Sequence, residues 1–315
     1  MLSKTDLYFL TIAKTGSLNQ AAQQLYVSQP SLSKYIQRLE TQLGAPLFDR
    51  SVSPMRLNEC GALYLQYLQD SISREQQLLN QIGEIRRNIR GTLRLGIPSF
   101  CGQCYLPRVL PQFSREFPHV SLELYEKTGM KIEQALLDQV IDLAILHPPI
   151  MHEGLASCTL VKERILLVSR RDPESEQDRQ AQGISIRTGQ LSDILDKPAI
   201  MPRPDQKLWK IVVDFFSQLN YSPPVYTRTE NVVTTLELAA MGMGIGFTPE
   251  SGLNTVSESI LNRIAFFTFP HILSNWQLAA VTRQGSVMSL FARRFVELTQ
   301  ECAQQMLTDR QKKFS

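Results

Sequence analysis

Two short amphipathic segments near the N-terminus constrain this chain more than any other feature. Leu18, Ala22 and Leu25 recur at steps of four and three, and Leu32, Ile36 and Leu39 repeat those steps after a break at Tyr26, Val27 and Ser28. A helix with 3.6 residues per turn gathers such positions onto one face. Two helices with one apolar stripe each, joined by three or four residues, make a helix-turn-helix. The start and stop signals agree. Ser17 with Gln20 forms a capping box, Ser28 can cap a helix with Pro30 in its first turn, and Gly44 supplies the left-handed residue that ends it.

With Leu32, Ile36 and Leu39 inward, the second helix turns Pro30, Ser33, Lys34, Gln37 and Thr41 outward. These are short polar groups, an amide and one cation, and the N-terminal ones suit base edges in a major groove. Gln29 can bond adenine in a bidentate manner, and Lys34 can donate to guanine or to phosphate. On helical pattern alone, an αα-hairpin with a solvated face fits as well.

The distribution of charge is informative. In residues 1–58 the cations are Lys4, Lys14, Lys34, Arg38, Arg50 and Arg56, against Asp6, Glu40 and Asp49, so this segment holds the whole net charge of +3. Phosphate contact needs such an excess, and its modest size suggests that tight binding takes more than one copy. At 315 residues the chain is long enough for two or three domains. It has no apolar run of membrane-spanning length, no signal-like start and an odd five cysteines, so a cytoplasmic location without a disulfide framework is expected.

From Leu7 to Arg50 the chain resembles the N-terminal winged helix-turn-helix of LysR-type transcriptional regulators. The resemblance rests on Leu7, Phe9, Ala13, Gly16, Ser17, Ala21, Ala22, Leu25, Ser28, Gln29, Pro30, Ser31, Ser33, Ile36, Leu39, Glu40, Leu43, Gly44, Leu47, Phe48 and Arg50. It continues more weakly after residue 90. It implies a multi-domain chain: an all-α winged helix-turn-helix, a long linker helix and an α/β effector domain of two lobes like a periplasmic binding protein. The DNA-binding candidates are Ser28, Gln29, Pro30, Ser31, Ser33, Lys34 and Gln37, with Arg50 and Arg56 in a two-stranded wing from Leu47 to Leu57. The wing departs from the family, which usually has a further basic residue at Ser53 and a Thr-x-Ala-Gly run where Asn58, Glu59, Cys60 and Gly61 stand. Weaker wing contacts are the expected consequence.

Residues 59–90 read as a linker helix ended by Gly91. Leu65, Leu68, Ile72, Leu79, Ile82 and Ile89 keep a heptad register, interrupted at Glu75 and Arg86. The resemblance implies antiparallel pairing of two subunits here; a helix buried on its own domain is the alternative, given Leu78 and Ile85. A dimer would present two recognition helices to a palindromic site, and a tetramer is the usual family form.

Beyond residue 92 short β-rich runs alternate with helical patterns, as in βαβ units with mostly parallel sheet. The expected strands are 92–97, 120–126, 143–146, 164–168, 199–201, 244–247 and 277–282; the helices are 106–116, 132–137, 208–219 and 232–241. The domains are then 1–58, a linker at 59–90, lobe I at 91–164 plus 268–303, lobe II at 165–267, and a C-terminal tail at 304–315, whose basic stub after Met306 is expected to fray. A polar, charged insert spans Asp172–Gln190.

Open α/β sheets bind ligands beyond the carboxyl ends of their strands, at helix N-termini. That rule selects Ser99, Phe100 and Cys101, ahead of a helix starting near Tyr105, then Thr128, His147, the loop Met201, Pro202 and Arg203, and Phe247. The resemblance implies effector contacts at Ser99, Thr128 and the 201–203 loop. Hydroxyls, amides and Arg203 suit a carboxylate, whereas Phe100, His147 and Phe247 favour an aromatic part. For each residue, an ordinary loop role without ligand remains open.

Cys101-Gly-Gln-Cys104 at a helix start is a candidate thiol or redox sensor, with plain packing the favoured alternative. Gly242, Gly244 and Gly246 follow a helix and enter a strand, opposite to a dinucleotide fingerprint. His147 and His152 lack the spacing of a helical zinc pair. No cofactor, metal or membrane is expected, and no enzyme motif is found. The expected partners are double-stranded DNA, a small-molecule effector and further copies of the chain, with RNA polymerase a further candidate. A solute-binding protein would share the two-lobed body, but the N-terminal 58 residues speak against it.

Overall fold

The computed structural model describes residues 4–52, 54–85, 89–172, 186–269, 273 and 276–314. The chain divides into two compact units, Met1–Asn88 and Ile89–Ser315.

In the first unit α1 (Lys4–Thr15), α2 (Leu18–Gln24) and α3 (Gln29–Leu43) precede a ribbon of β1 (Phe48–Asp49) and β2 (Arg56–Leu57), which leads into α4 (Glu59–Ile85). Both expected caps form: the Gln20 and Ser31 amides each donate to the N-cap serine hydroxyls, Ser17 and Ser28, at 3.4 Å. Gly44 ends α3 with φ 71°. Leu32, Ile36 and Leu39 are buried among Phe9, Ile12, Ala21, Ala22 and Phe48. The helix-turn-helix therefore arises from local signals closed by one small core.

The α4 helix packs Leu68 into that core, and Tyr64 meets Phe9 edge-on at 4.9 Å while donating to Asp6 at 3.1 Å. Leu65 and Ile72 are half-buried, whereas Leu63, Tyr67 and Leu78 are exposed. The side chains of Leu79 and Ile82, and Arg86 itself, lie outside the described residues. Gly91 does not cap this helix. It is the first residue of strand β3, because Gly91 and Thr92 pair with Val120 and Ser121.

The second unit alternates strand and helix: β3 (Gly91–Gly96), α5 (Ser99–Glu116), β4 (Val120–Tyr125), α6 (Gly129–Leu137), β5 (Leu143–Leu146), β6 (Leu155–Glu163) and β7 (Ile165–Arg170). It continues through β8 (Ile186–Thr188), β9 (Ala199–Met201), α7 (Lys207–Gln218), β10 (Val225–Arg228), α8 (Val232–Ala240) and β11 (Gly246–Pro249). A 3-10 turn (Glu250–Asn254), α9 (Glu258–Leu261), β12 (Ile264–Thr268), β13 (Trp276–Arg283) and α10 (Leu290–Phe314) complete it.

These strands form two lobes. Lobe I is a five-stranded sheet in the order β4-β3-β5-β13-β6, parallel among β3, β4 and β5 and antiparallel at β13. Lobe II has the order β11-β7-β12-β8, and the parallel pair β9 and β10 joins it through a bridge from Ala199 to Ile245. The chain passes between the lobes after β6 and again after β12. Each sheet buries an aliphatic and aromatic core, with Phe113 and Phe295 prominent in lobe I and Phe215 and Phe247 in lobe II.

Two expectations fail for physical reasons. The first helix of lobe I starts at Ser99 rather than near Tyr105, and Pro107 and Pro111 lie inside α5. The stub after Met306 is helical as far as Phe314 within α10, and its Leu307 packs against the lobe I core. Residues 173–185 of the polar insert lie outside the described residues, and Ile186–Thr188 forms β8.

Candidate DNA interface and effector cleft

On α3, Gln29, Pro30, Ser31, Lys34 and Gln37 are exposed and Ser33 is half-buried. This is the polar face left when the apolar stripe turns inward. The Ser28 and Ser31 hydroxyls are 2.7 Å apart, so each already has a partner at the helix start. In the wing Arg56 is exposed opposite Asp49, but Arg50 donates to Glu40 of α3 at 2.8 Å. Sequence reasoning passed over Tyr26. It stands at positive φ in the turn ahead of α3 and is 96% exposed. The available signal was an aromatic residue at a turn position that breaks the apolar stripe.

Within the second unit a cavity of about 450 Å³ opens where strands end and helices begin. Lobe I lines it with Ser99, Phe100 and Cys101 after β3, Thr128 after β4 and His147 after β5. Five of the nine expected effector residues are thus brought together. Thr128 and Pro98 precede α6 and α5 without a side-chain cap, which leaves backbone N–H groups at those starts without a side-chain acceptor.

The lobe II wall is different from the expected one. Met201 and Pro202 are buried beside the core, and Arg203 is exposed, its amide donating to Gln206 Oε1 at 3.0 Å. None of the three lines the cavity, because the loop turns back before α7 begins. The wall is supplied by Asp205–Leu208 and by Glu230–Val232. Phe247 also leaves the set: its ring packs edge-on against Phe215 at 5.3 Å and Phe216 at 5.6 Å within the lobe II core. Sequence reasoning missed Lys207, Asn231 and Trp276 among the lining residues.

His147 is buried and lies over Trp276 with ring centroids 4.2 Å apart. Burial pushes its pKa down to about 4 despite the hydrogen bond at Gln277. In the neutral ring Nδ1–H donates to Gln277 O at 2.6 Å, so Nε2 is an acceptor 3.3 Å from Cys101 Sγ, whose S–H donates to it. Burial raises the Cys101 thiol well above its ordinary value, and the neighbouring Cys104 and Glu163 add to this. Cys104 is also buried, with Sγ 3.6 Å from Ser251 O.

Opposite these groups, Lys207 at the start of α7 donates to Glu133 Oε1 on α6 at 2.8 Å. Burial pushes the Glu133 carboxyl up, but hydrogen bonds from Lys207, His152 and the Met151 amide outweigh it and hold the group below the usual range. Burial likewise lowers Lys207, partly offset by Glu133. This arrangement can bind and orient a small polar ligand.

Residues 7–62 match the family described as bacterial regulatory helix-turn-helix protein, lysR family, and residues 86–304 match the LysR substrate binding domain. The chain belongs to the LysR family.

Among relatives of this LysR regulator, the uncharacterized HTH-type transcriptional regulator YwbI of Bacillus subtilis is 29% identical over 295 residues, covering 93% of each chain. Two solved structures are similar in fold. A mutant OxyR of Corynebacterium glutamicum has a TM-score of 0.61 at 22% identity, covering 98% of this chain and 95% of its own. Full-length CbnR complexed with its target DNA has a TM-score of 0.60 at 20% identity, covering 96% of this chain and 100% of its own. The LysR chain is a transcriptional regulator with a DNA-binding helix-turn-helix and an effector-binding domain, and not an enzyme. No described helix is long and apolar enough to cross a membrane.

Proposed function

We propose that this regulator works in the cytoplasm as a dimer paired through α4, which can associate further into a tetramer. It reads a duplex operator with Gln29, Ser33, Lys34 and Gln37 of α3, and holds the backbone with Arg56 and the wing. The exposed apolar pair Leu63 and Tyr67, four residues apart on one face of α4, supports the pairing. Its activity is set by a small anionic ligand with an apolar or aromatic portion, held at Ser99, Thr128 and His147. RNA polymerase is then the partner on which bound ligand finally acts.

The observation that carries this reading is the convergence of two uncapped helix starts, a hydroxyl at each, and a stacked His147–Trp276 pair on one cavity of about 450 Å³. A carboxylate matches the helix starts and a flat ring matches the aromatic wall. A redox role for Cys101 and Cys104 fits less well, since both thiols are buried and each has its own hydrogen-bond partner.

Selection of binding sites by the full chain from random duplex DNA tests the proposal. Enriched sequences should carry two symmetric half-sites spaced by about one helical turn or a multiple of it. A pool that stays random after selection refutes sequence reading.

A further inference from the structure

One side chain at the cleft stands out by what it joins. Lys207 belongs to lobe II, yet its stem passes over Gly129 of lobe I, where a Cβ would lie 3.0 Å from Lys207 Cε. Its ammonium group donates to Glu133 Oε1 at 2.8 Å and to Pro149 O at 2.6 Å, both in lobe I. The same side chain lines the cavity.

The two partners of this ion pair are unequal. Glu133 is fully buried, and its second oxygen accepts from the Met151 amide at 2.8 Å, the His152 amide at 3.2 Å and His152 Nδ1 at 3.0 Å. All three donors belong to lobe I, so Glu133 keeps them when the ammonium group leaves. Lys207, with a side chain 15% exposed, would be left a largely desolvated cation that needs a replacement anion. Bulk charge does not supply the selectivity: Lys127 and Lys131 on the cavity wall are offset by Glu126, Asp205 and Glu230. Lys127 and Lys131 are exposed, whereas Lys207 is a cavity-lining cation with a largely buried side chain.

We propose that Lys207 is the anion receptor of the cleft and that Glu133 is the carboxylate an anionic effector displaces from it. Filling the cleft and breaking the ionic tie between the lobes are then one event. The exchange replaces one charge-assisted hydrogen bond of Lys207 by another, Glu133 keeps the three donors on its second oxygen, and the lobes lose a link that held them in one arrangement. The inference rests on the reading of this cleft as the effector site.

Benzoate and its neutral counterpart benzamide test it, since both carry a flat ring for the wall of Phe100, His147 and Trp276 but only one carries a charge. Binding to the full chain is followed by calorimetry and by tryptophan emission, Trp276 being one of the two tryptophans in the chain. Glu133→Gln should tighten benzoate binding by about tenfold, and Lys207→Met should weaken it by about tenfold or more, with benzamide indifferent to both. Benzoate affinity unchanged or lowered in Glu133→Gln overturns the proposal, and so does full affinity in Lys207→Met. If Lys207→Met fails to fold, the gain in Glu133→Gln decides alone. Benzoate and benzamide binding alike in every protein keeps the cleft as an effector site but removes the role of Lys207. Binding of neither probe to any of them removes both.

Discussion

The Glu40 carboxylate ties the recognition helix to the wing: Oε2 accepts from Arg50 at 2.8 Å while Oε1 accepts from the Leu47 amide at 2.9 Å. Arg50 is therefore a positioned cation, oriented by α3 before any phosphate meets it. The Arg50 side chain is 45% exposed, so solvent screens the ion pair and the Leu47 amide carries more of the stability. Glu40→Ala should destabilise the N-terminal unit by about 1–2 kcal/mol, because a part-buried amide loses its acceptor. Arg50→Ala should cost less than about 1 kcal/mol in stability. Urea denaturation followed by far-ultraviolet dichroism ranks the two, and equal losses would contradict this division of roles.

Two glycines of the first unit should respond differently to alanine. Gly61 lies in the first turn of α4 against the chain at Leu47, and a Cβ there would overlap the Leu47 carbonyl oxygen. Backbone cannot yield as a flexible side chain can, so Gly61→Ala should cost about 2–3 kcal/mol and shift the wing. Gly44 has φ 71° and open space around its Cβ position, so Gly44→Ala meets only the left-handed penalty of about 1 kcal/mol. Thermal melting of the two variants checks the order.

The first unit was legible in the sequence because its signals are local. Leu32, Ile36 and Leu39 declare an inward face, Ser28 and Gly44 mark the ends, and the structure closes the core around them. The expected strands of the second unit also appear, shifted by a residue or two at most of their ends. Four strands escaped notice. The β12 run is buried at every position and gives no alternation, while β6 and β10 expose most of their residues. These strands are defined by partners far away in sequence, as β6 is by β13.

The cleft was half legible for the same reason. The rule of strand ends and helix starts found Ser99, Thr128 and His147, which depend on one strand each. It mistook Arg203 for a lining residue because Gln206 folds the 203–206 loop back on itself. The Lys207–Glu133 pair spans 74 residues, and no local pattern announces a contact of that range.

His147 should make the stability of the second unit fall in mild acid. Burial favours its neutral ring, with a folded pKa of about 4, whereas the unfolded chain takes up the proton near pH 6.5. The unfolded state therefore binds more protons between these values. The contribution is complete above about pH 6.5 and is lost as pH falls towards 4, amounting to on the order of 3 kcal/mol. Urea midpoints measured across this window should slope upward with pH, and His147→Gln should flatten the slope. An unchanged slope in His147→Gln would mean that other groups cause it.

The exposed face of α3 separates base reading from backbone contact, and salt dependence distinguishes them. Gln29 is uncharged and exposed at the first position of α3, so its loss removes base-edge bonds without releasing counterions. Gln29→Ala should cost about 1–3 kcal/mol on the best operator, little on random DNA, and leave the salt slope unchanged. Arg56 is exposed on the wing, and Arg56→Ala should weaken binding to all sequences alike while lowering the salt slope by about one counterion. Tyr26, held in water ahead of α3, has no charge to lose and should resemble Gln29 in slope. Electrophoretic shifts of operator and random duplexes at several salt concentrations give all three results together. If Gln29→Ala weakens both duplexes equally, α3 does not read bases through that amide, and specificity has to come from the shape of the duplex instead.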